Sequence, residues 1–328
     1  MKLGVIGAGA VGGTIAALLA RAGHDVEVTA RGPHLAAIAR DGIRLDGVWG
    51  EYSAHVGAGI LLTRSPDLAI VATKAQDAAA ALRENASFLV GIPVVVMQNG
   101  LEGIATAHHA APQSDIVGGL ALYAASLLAP GQITVTAGGS TYLGGELLPS
   151  VYASRILSEV MPTSVAGSFE GAQWTKLVIN QVNALPAITG LSVQDVVSNR
   201  RLRLMMTESM REAVRVGVAK GIVFEKVQGL SNRLLRLLLR SPTVVGQLLP
   251  LLMKRRMGRR PNPGSTLQSI RRGQPTEIDY LNGAVVRHGR LLDVPTPVNA
   301  LLVTMVNEVE RSGVFIAPNE VIARARAV

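Results

Sequence analysis

The apolar and polar positions of the chain fall into two regimes. Up to about residue 167, short apolar runs alternate with helical spacings; beyond it the spacing is helical throughout. Residues 2–6 form an apolar run of strand type. Gly7-Ala8-Gly9-Ala10-Val11-Gly12 follows, and then Ile15, Leu18 and Leu19 at helical spacing within 14–22. Residues 25–30 alternate and predict a second strand, and 42–56 predict a hairpin turning near Gly47. Residues 68–73, ending at Lys74, and 94–97, ending at Gln98-Asn99-Gly100, read as buried strands of a parallel sheet. Residues 116–122, 133–135 and 141–143 predict further strands, with a hairpin turn at Gly138-Gly139, and 151–161 a helix.

In the second regime a long helix starts at Glu170 and tolerates Pro186 only as a kink or an end. Lys176, Asn180 and Asn183 are spaced i, i+4, i+7 and share one narrow stripe, flanked by Leu177, Val178, Ile179 and Val182. Burying a lysine and two amides without partners costs several kcal/mol. The stripe is therefore either a satisfied polar seam between helices or a surface facing a ligand. A lysine among apolar groups loses its proton more readily, which suits proton donation near neutral pH. Further helices are predicted over 200–223 and 298–311. Thr276 and Asp279 have capping-box spacing, and Ile278, Leu281 and Val285 form the buried face behind them. Glu277 is left as a carboxylate in a first helical turn, where a negative charge is favourable in any case. The expected architecture is an α/β Rossmann domain with a mainly parallel sheet over 1–167, followed by an all-α domain over 168–328.

Residues 7–12 fit G-x-G-x-x-G between a strand and a helix, the context that gives this motif its meaning. Gly7 permits the tight turn, Gly9 leaves room for a pyrophosphate, and Gly12 lets helix and strand pack closely. Ala8, Ala10 and Val11 complete the loop. The helix N-terminus adds free N–H groups and a positive dipole end. Where an NAD-binding chain carries an acidic residue after the second strand, this one has Arg31, whose guanidinium can pair with a 2′-phosphate; NADPH is the expected cofactor. Lys74 and Asn99 stand at the ends of parallel strands, where open α/β sheets bind ligands.

Composition removes several classes. The absence of cysteine excludes disulfides and thiolate chemistry. The adjacent pair His108-His109 lacks metal-site spacing, and no metal is expected. No apolar run is long enough to span a bilayer and no targeting segment is visible, so a cytoplasmic protein is expected. The net charge of +9 is local: residues 226–276 hold eleven Lys or Arg and no Asp or Glu, leaving the rest of the chain at −2 (9 minus 11). At the heart of this basic stretch, Leu234, Leu235, Leu237, Leu238 and Leu239 interleave with Arg233, Arg236 and Arg240. It reads as a helical excursion with solvated arginines, the alternatives being an interfacial membrane helix or a protein contact. It contains no aromatic residue on which a base could stack, so nucleic acid is not an expected partner.

Taken together these residues resemble the ketopantoate reductase (2-dehydropantoate 2-reductase) family. The resemblance runs through GAGAVG at 7–12, Arg31, Lys74, QNG at 98–100, WTKLVIN at 174–180, the Ser265 loop and TEIDYLNG at 276–283. It implies a Rossmann domain and a helical domain with the active site in the cleft between them. It implies NADPH-dependent reduction of the 2-keto group of ketopantoate to pantoate, a step of pantothenate biosynthesis. By this resemblance Gly7, Gly9, Gly12 and Arg31 hold NADPH, and Lys74 and Asn99 lie near cofactor and substrate. Lys176 protonates the developing alkoxide, Asn180 and Ser265 orient the substrate, and Glu277 binds a substrate hydroxyl or a cofactor ribose. The chain departs from the family pattern at three places. Ala184 stands where many members place a second asparagine, and Asn183, on the same stripe, is the candidate to replace it. Ser269 replaces a frequent aspartate. The basic stretch near 226–262 looks like an insertion. The alternatives are a reductase of another small 2-keto acid and a non-catalytic NADP(H)-binding sensor; the assembly considered is a homodimer.

Overall fold

The computed structural model describes residues 1–258 and 261–326, so Arg259 and Arg260 of the basic stretch lie outside the described residues. The chain forms two compact units, Met1–Phe169 and a second from Glu170 onward. The first contains twelve strands: β1 (Lys2–Ile6), β2 (Asp25–Thr29), β3 (Ile43–Gly47), β4 (Tyr52–Ala54), β5 (Gly57–Gly59), β6 (Leu68–Val71), β7 (Pro93–Met97), β8 (Asp115–Ala121), β9 (Ala124–Ala129), β10 (Gln132–Ala137), β11 (Thr141–Gly145) and β12 (Thr163–Val165). Its helices are α1 (Ala10–Arg21), α2 (Gly32–Asp41), α3 (Ala75–Glu84), α4 (Gly103–Ala110) and α5 (Leu147–Ser158).

Eight strands form one sheet in the order β12-β11-β8-β7-β6-β1-β2-β5, in which only the β8–β11 pairing is antiparallel. A second sheet has the order β4-β3-β10-β9. Helix α1 lies between them: Ile15, Leu18 and Leu19 share one core with Leu3 and Val5 of the large sheet and Ile43, Leu45, Ile133 and Val135 of the small one. The chain runs from β1 to β2 on one side and reaches β6 on the other. The glycine loop after β1 therefore sits at a topological switch point of the sheet.

Two sequence expectations fail here for identifiable reasons. The hairpin at Gly138-Gly139 does not form, because β10 pairs with β9 and β3 in the small sheet while β11 pairs with β8 and β12 in the large one. The glycines instead carry the chain between sheets, and a Cβ at Gly139 would overlap the Leu122 carbonyl. The first helix begins at Ala10, four residues earlier than its apolar spacing suggests. Gly12 and Gly13 are poor helix formers, but they let α1 lie against neighbours that a methyl group would strike: the Gly7 carbonyl for Gly12 and the Ile133 side chain for Gly13.

The second unit is helical: α6 (Phe169–Asn180), α7 (Ala184–Thr189), α8 (Val193–Ser198), α9 (Arg200–Ala219), α10 (Asn232–Arg240), α11 (Thr243–Gly246), α12 (Leu248–Met257), α13 (Gly264–Arg271), α14 (Asn282–Leu291), α15 (Pro297–Ser312) and α16 (Pro318–Ala325). Trp174 of α6 is fully buried, edge-on to His288 of α14 at 5.5 Å between ring centroids. Gly217 of α9 provides the space for this packing: a Cβ there would meet Phe224 at 2.7 Å and Trp174 at 3.2 Å. The long helix expected from Glu170 is broken by a 3-10 turn over Gln181–Asn183. Pro186 is the physical reason, since its ring blocks the carbonyl four residues back and it has no N–H to give.

Candidate active site

In the first unit the carboxyl ends of four adjacent parallel strands carry the expected polar and glycine positions: Gly7 after β1, Arg31 after β2, Lys74 beyond β6 and Asn99 beyond β7. Gly7 has φ +94°, and a Cβ on it would meet Thr73 Cγ2 at 2.7 Å, so the loop lies directly against the end of β6. Gly9 is the N-cap of α1 and has an ordinary φ of −66°. A Cβ on Gly9 would meet nothing within 4 Å. The loop thus presents a bare backbone toward open space, beside the first N–H groups of a twelve-residue helix.

Residues with no sequence signature fix this loop. Thr29 Oγ1 accepts a hydrogen bond from the Gly7 N–H at 3.0 Å, and the Thr29 carbonyl accepts one from Ala8 N–H at 2.9 Å. His34 Nδ1 accepts from the Gly131 N–H at 3.0 Å. Its Nε2 therefore carries the proton and donates to the Ala8 carbonyl at 2.7 Å. Tyr123 donates its hydroxyl to the Val11 carbonyl at 3.3 Å, and burial pushes its pKa up. Only the fold brings Thr29, His34 and Tyr123 to Gly7–Val11; nothing in their spacing announces it.

Arg31 caps α2 and its side chain is 73% exposed. Its guanidinium donates to Glu84, at the end of α3, at 2.9 Å. An exposed ion pair of this kind is worth at most about 1 kcal/mol, so Arg31 can exchange the carboxylate for an incoming anion. Lys74 caps α3.

In the second unit α6 carries Lys176 and, one turn on, Asn180. Burial pushes the Lys176 ammonium down to about 8, while the Glu277 carboxylate pulls it the other way. Asn180 Nδ2 is buried and has no hydrogen-bond partner. A buried donor without a partner costs about 1–3 kcal/mol and calls for an explanation. Asn183 is the last residue of the 3-10 turn. Its Oδ1 accepts the Ser265 N–H at 3.3 Å and thereby ties down the first turn of α13. Gly264 has φ +73° with Asn183 Oδ1 2.6 Å from where a Cβ would lie, so only glycine fits there. Ser269, one turn beyond Ser265, donates its hydroxyl to the Ser265 carbonyl at 3.4 Å.

The expected capping box at Thr276 and Asp279 is absent. Glu310 Oε2 accepts the Thr276 N–H at 3.0 Å, Thr276 Oγ1 accepts from Ile278 N–H, and the following turn is 3-10. Glu310, distant in sequence, outcompetes Asp279 for the donor. Glu277 precedes that turn and Ile278, Leu281 and Val285 are buried behind it. A polar chain that the sequence pattern does not reveal holds these elements in place. Asn282 donates to Gln181 Oε1 at 2.7 Å and to Asn299 Oδ1 at 3.0 Å. Asn299 donates to Glu212 Oε2 at 2.6 Å, and Glu212 also accepts the Val298 and Asn299 N–H groups. The chain of bonds links the end of α6, the helix that carries Lys176 and Asn180, to α14, α15 and α9.

A glycine loop at the switch point of a parallel sheet, followed in the same chain by a helical unit, is the architecture of a pyridine-nucleotide-dependent oxidoreductase. Residues 3–146 match the family model of ketopantoate reductase PanE/ApbA, and residues 168–310 match that of its C-terminal region. A 2-dehydropantoate 2-reductase of Mesorhizobium japonicum is 31% identical over 90% of this chain and 94% of its own. The PanE/ApbA family ketopantoate reductase of Ralstonia eutropha JMP134 superposes with a TM-score of 0.81 at 28% identity, covering 95% of this chain and 99% of its own. D-mandelate dehydrogenase, solved with NADH and anilino(oxo)acetate, has the same fold, with a TM-score of 0.80 at 22% identity over 95% of this chain and 99% of its own. The chain belongs to the ketopantoate reductase PanE/ApbA family.

Proposed function

We propose that this chain reduces the 2-keto group of ketopantoate to give pantoate, with NADPH as hydride donor and Lys176 as proton donor. The observation that carries the reading is the face of α6, where a lysine with its pKa lowered to about 8 stands one turn from the orphan amide of Asn180 and under the field of Glu277. The open space at Gly9 and the unpaired N–H groups of α1 suit a dinucleotide pyrophosphate. Gly7 to Gly12 would hold the pyrophosphate and Arg31 the 2′-phosphate. Lys74 and Asn99 would contact the cofactor, Asn99 also the substrate, and NADPH, when bound, supplies the hydride. Asn180 Nδ2 donates to a substrate oxygen, the first turn of α13 at Ser265 receives the carboxylate, and Asn183 fixes that turn. The Lys176 ammonium stabilises the negative charge growing on the keto oxygen and then gives it a proton. Glu277 keeps Lys176 protonated and accepts a hydroxyl group of substrate or cofactor. The enzyme would work in the cytoplasm.

The test is NADPH oxidation followed by absorbance with ketopantoate and a panel of other 2-keto acids, aryl ones included. A kcat/KM for ketopantoate well above the rest supports the reading; preference for another acid transfers the mechanism to that substrate, and turnover of none removes it. Arg31→Ala should raise the KM for NADPH about 10- to 100-fold and leave that for NADH nearly unchanged, because only NADPH loses a charge-assisted partner. Equal rises for both would show that Arg31 does not read the 2′-phosphate.

The pH profile follows from the sign of the Lys176 shift. The acid must be protonated, so kcat/KM should be level below a pH of about 8 and fall above it. Glu277→Gln removes the carboxylate that raises the Lys176 pKa, so the falling limb should move to lower pH. A limb that stays in place would show that the two groups are not coupled.

A further inference from the structure

Helices α10, α11 and α12 take no part in the reaction proposed above, and they carry the most unusual surface of the molecule. All three lie against α9. They turn Leu235, Leu238, Gly246 and Leu249 inward. Outward they turn Leu234, Leu237, Val244, Val245, Leu248, Leu251 and Leu252, seven large aliphatic side chains within nineteen residues, with Val244 69% and Leu237 59% exposed. Elsewhere among the described residues, exposed large apolar side chains come at most three to an element, as Leu147, Leu148 and Tyr152 do on α5. Scattered apolar residues need no explanation, whereas a contiguous set does.

The outward face of α12 shows how the surface is organised. Leu248, Leu251 and Leu252 continue into Arg255 and Arg256 at i, i+3, i+4, i+7, i+8, so one stripe is aliphatic for a turn and a half and then basic. On α10, Arg233 and Arg240 flank Leu234 and Leu237 on the exposed side. Among the described residues, none of Arg233, Arg236, Arg240, Lys254, Arg255 and Arg256 pairs with a carboxylate. The acid lying against these helices, Glu208 of α9, is engaged by Thr243 and Arg211. Underneath, Arg211 donates to the Leu239 and Ser241 carbonyls that end α10, and Lys254 donates to Ser198. The aliphatic side chains are therefore held outward by a built scaffold.

We propose that this face docks the protein on an anionic lipid bilayer. The seven aliphatic side chains would enter the acyl boundary, and the arginines around them would reach the phosphate headgroups, their stems lying along the apolar surface. Charge complementarity selects the anionic surface, since residues 226–276 contain no carboxylate to repel it. No helix among the described residues is long and apolar enough to cross a membrane, so the attachment is peripheral.

The test is co-sedimentation of the full chain with vesicles of phosphatidylcholine containing phosphatidylglycerol and with vesicles of phosphatidylcholine alone. The anionic vesicles should bind at least about tenfold more protein, and the excess should shrink as salt is raised. Leu237→Asp with Val244→Asp and Leu248→Asp should abolish binding while leaving NADPH oxidation intact, which shows that the variant is folded. Arg233→Gln with Arg240→Gln and Arg255→Gln should remove the preference for anionic vesicles. Binding to neither vesicle, equal binding to both, or binding unaffected by either set of substitutions overturns the proposal. So does a dimer of the unmodified chain that the aspartate substitutions dissociate, which would make the face a contact between two copies.

Discussion

Lys176→Met will lower kcat for keto-acid reduction by about a thousandfold or more and at the same time make the protein harder to unfold at neutral pH. The first effect is the loss of both a general acid, commonly worth about 10²–10⁴, and the positive charge beside the forming alkoxide. The second follows from the lowered pKa. An unfolded lysine holds its proton up to a pKa near 10.5, whereas Lys176 in the folded chain releases it at about 8. Below pH 8 the fold must therefore retain a charged group in surroundings that disfavour it, and the penalty fades as pH rises from about 8 to 10.5. Methionine fills similar space without the charge and should add roughly 1–3 kcal/mol of stability at pH 7. Thermal unfolding and single-turnover kinetics measure the two sides. A variant less stable than the parent at pH 7 would show that Lys176 is paired favourably and is not under strain, and unchanged turnover would remove it as the acid.

Gly9→Val will raise the dissociation constant of NADPH at least about a hundredfold and leave the melting temperature within a degree or two of the parent. The expectation rests on two features of one residue. Its φ of −66° is ordinary for any side chain, and a Cβ would touch nothing within 4 Å, so the fold does not notice the substitution. The space that the side chain enters is the space in which the pyrophosphate would lie. Gly12→Ala is the contrast: its Cβ would overlap the Gly7 carbonyl, so it should lose stability as well as cofactor binding. If Gly9→Val bound NADPH normally, the open side of this loop would not be the pyrophosphate site.

The sequence alone determined the features that depend on local spacing. The order strand, glycine loop, helix at residues 2–21 is legible because the glycine pattern and the apolar periods are contiguous. Lys176 and Asn180 are legible as neighbours because they lie one turn apart in a single helix. Arg31 is legible because the second strand ends just before it. Tertiary structure decided what long-range contacts control. The Gly138-Gly139 segment joins two sheets, because β3 and β9 offer β10 a better partner than β11 does. Thr276 surrenders its N–H to Glu310, thirty-four residues away, so its cap is made by a residue that no local pattern points to. Asn183 accepts the N–H of Ser265, eighty-two residues away, a partner that its place on the helical stripe does not announce. His34, Thr29 and Glu212 acquire their tasks only when strands and helices distant in sequence come to rest beside them. A short-range motif specifies its own backbone, whereas the partner of a buried polar group is specified only once the rest of the chain has packed around it.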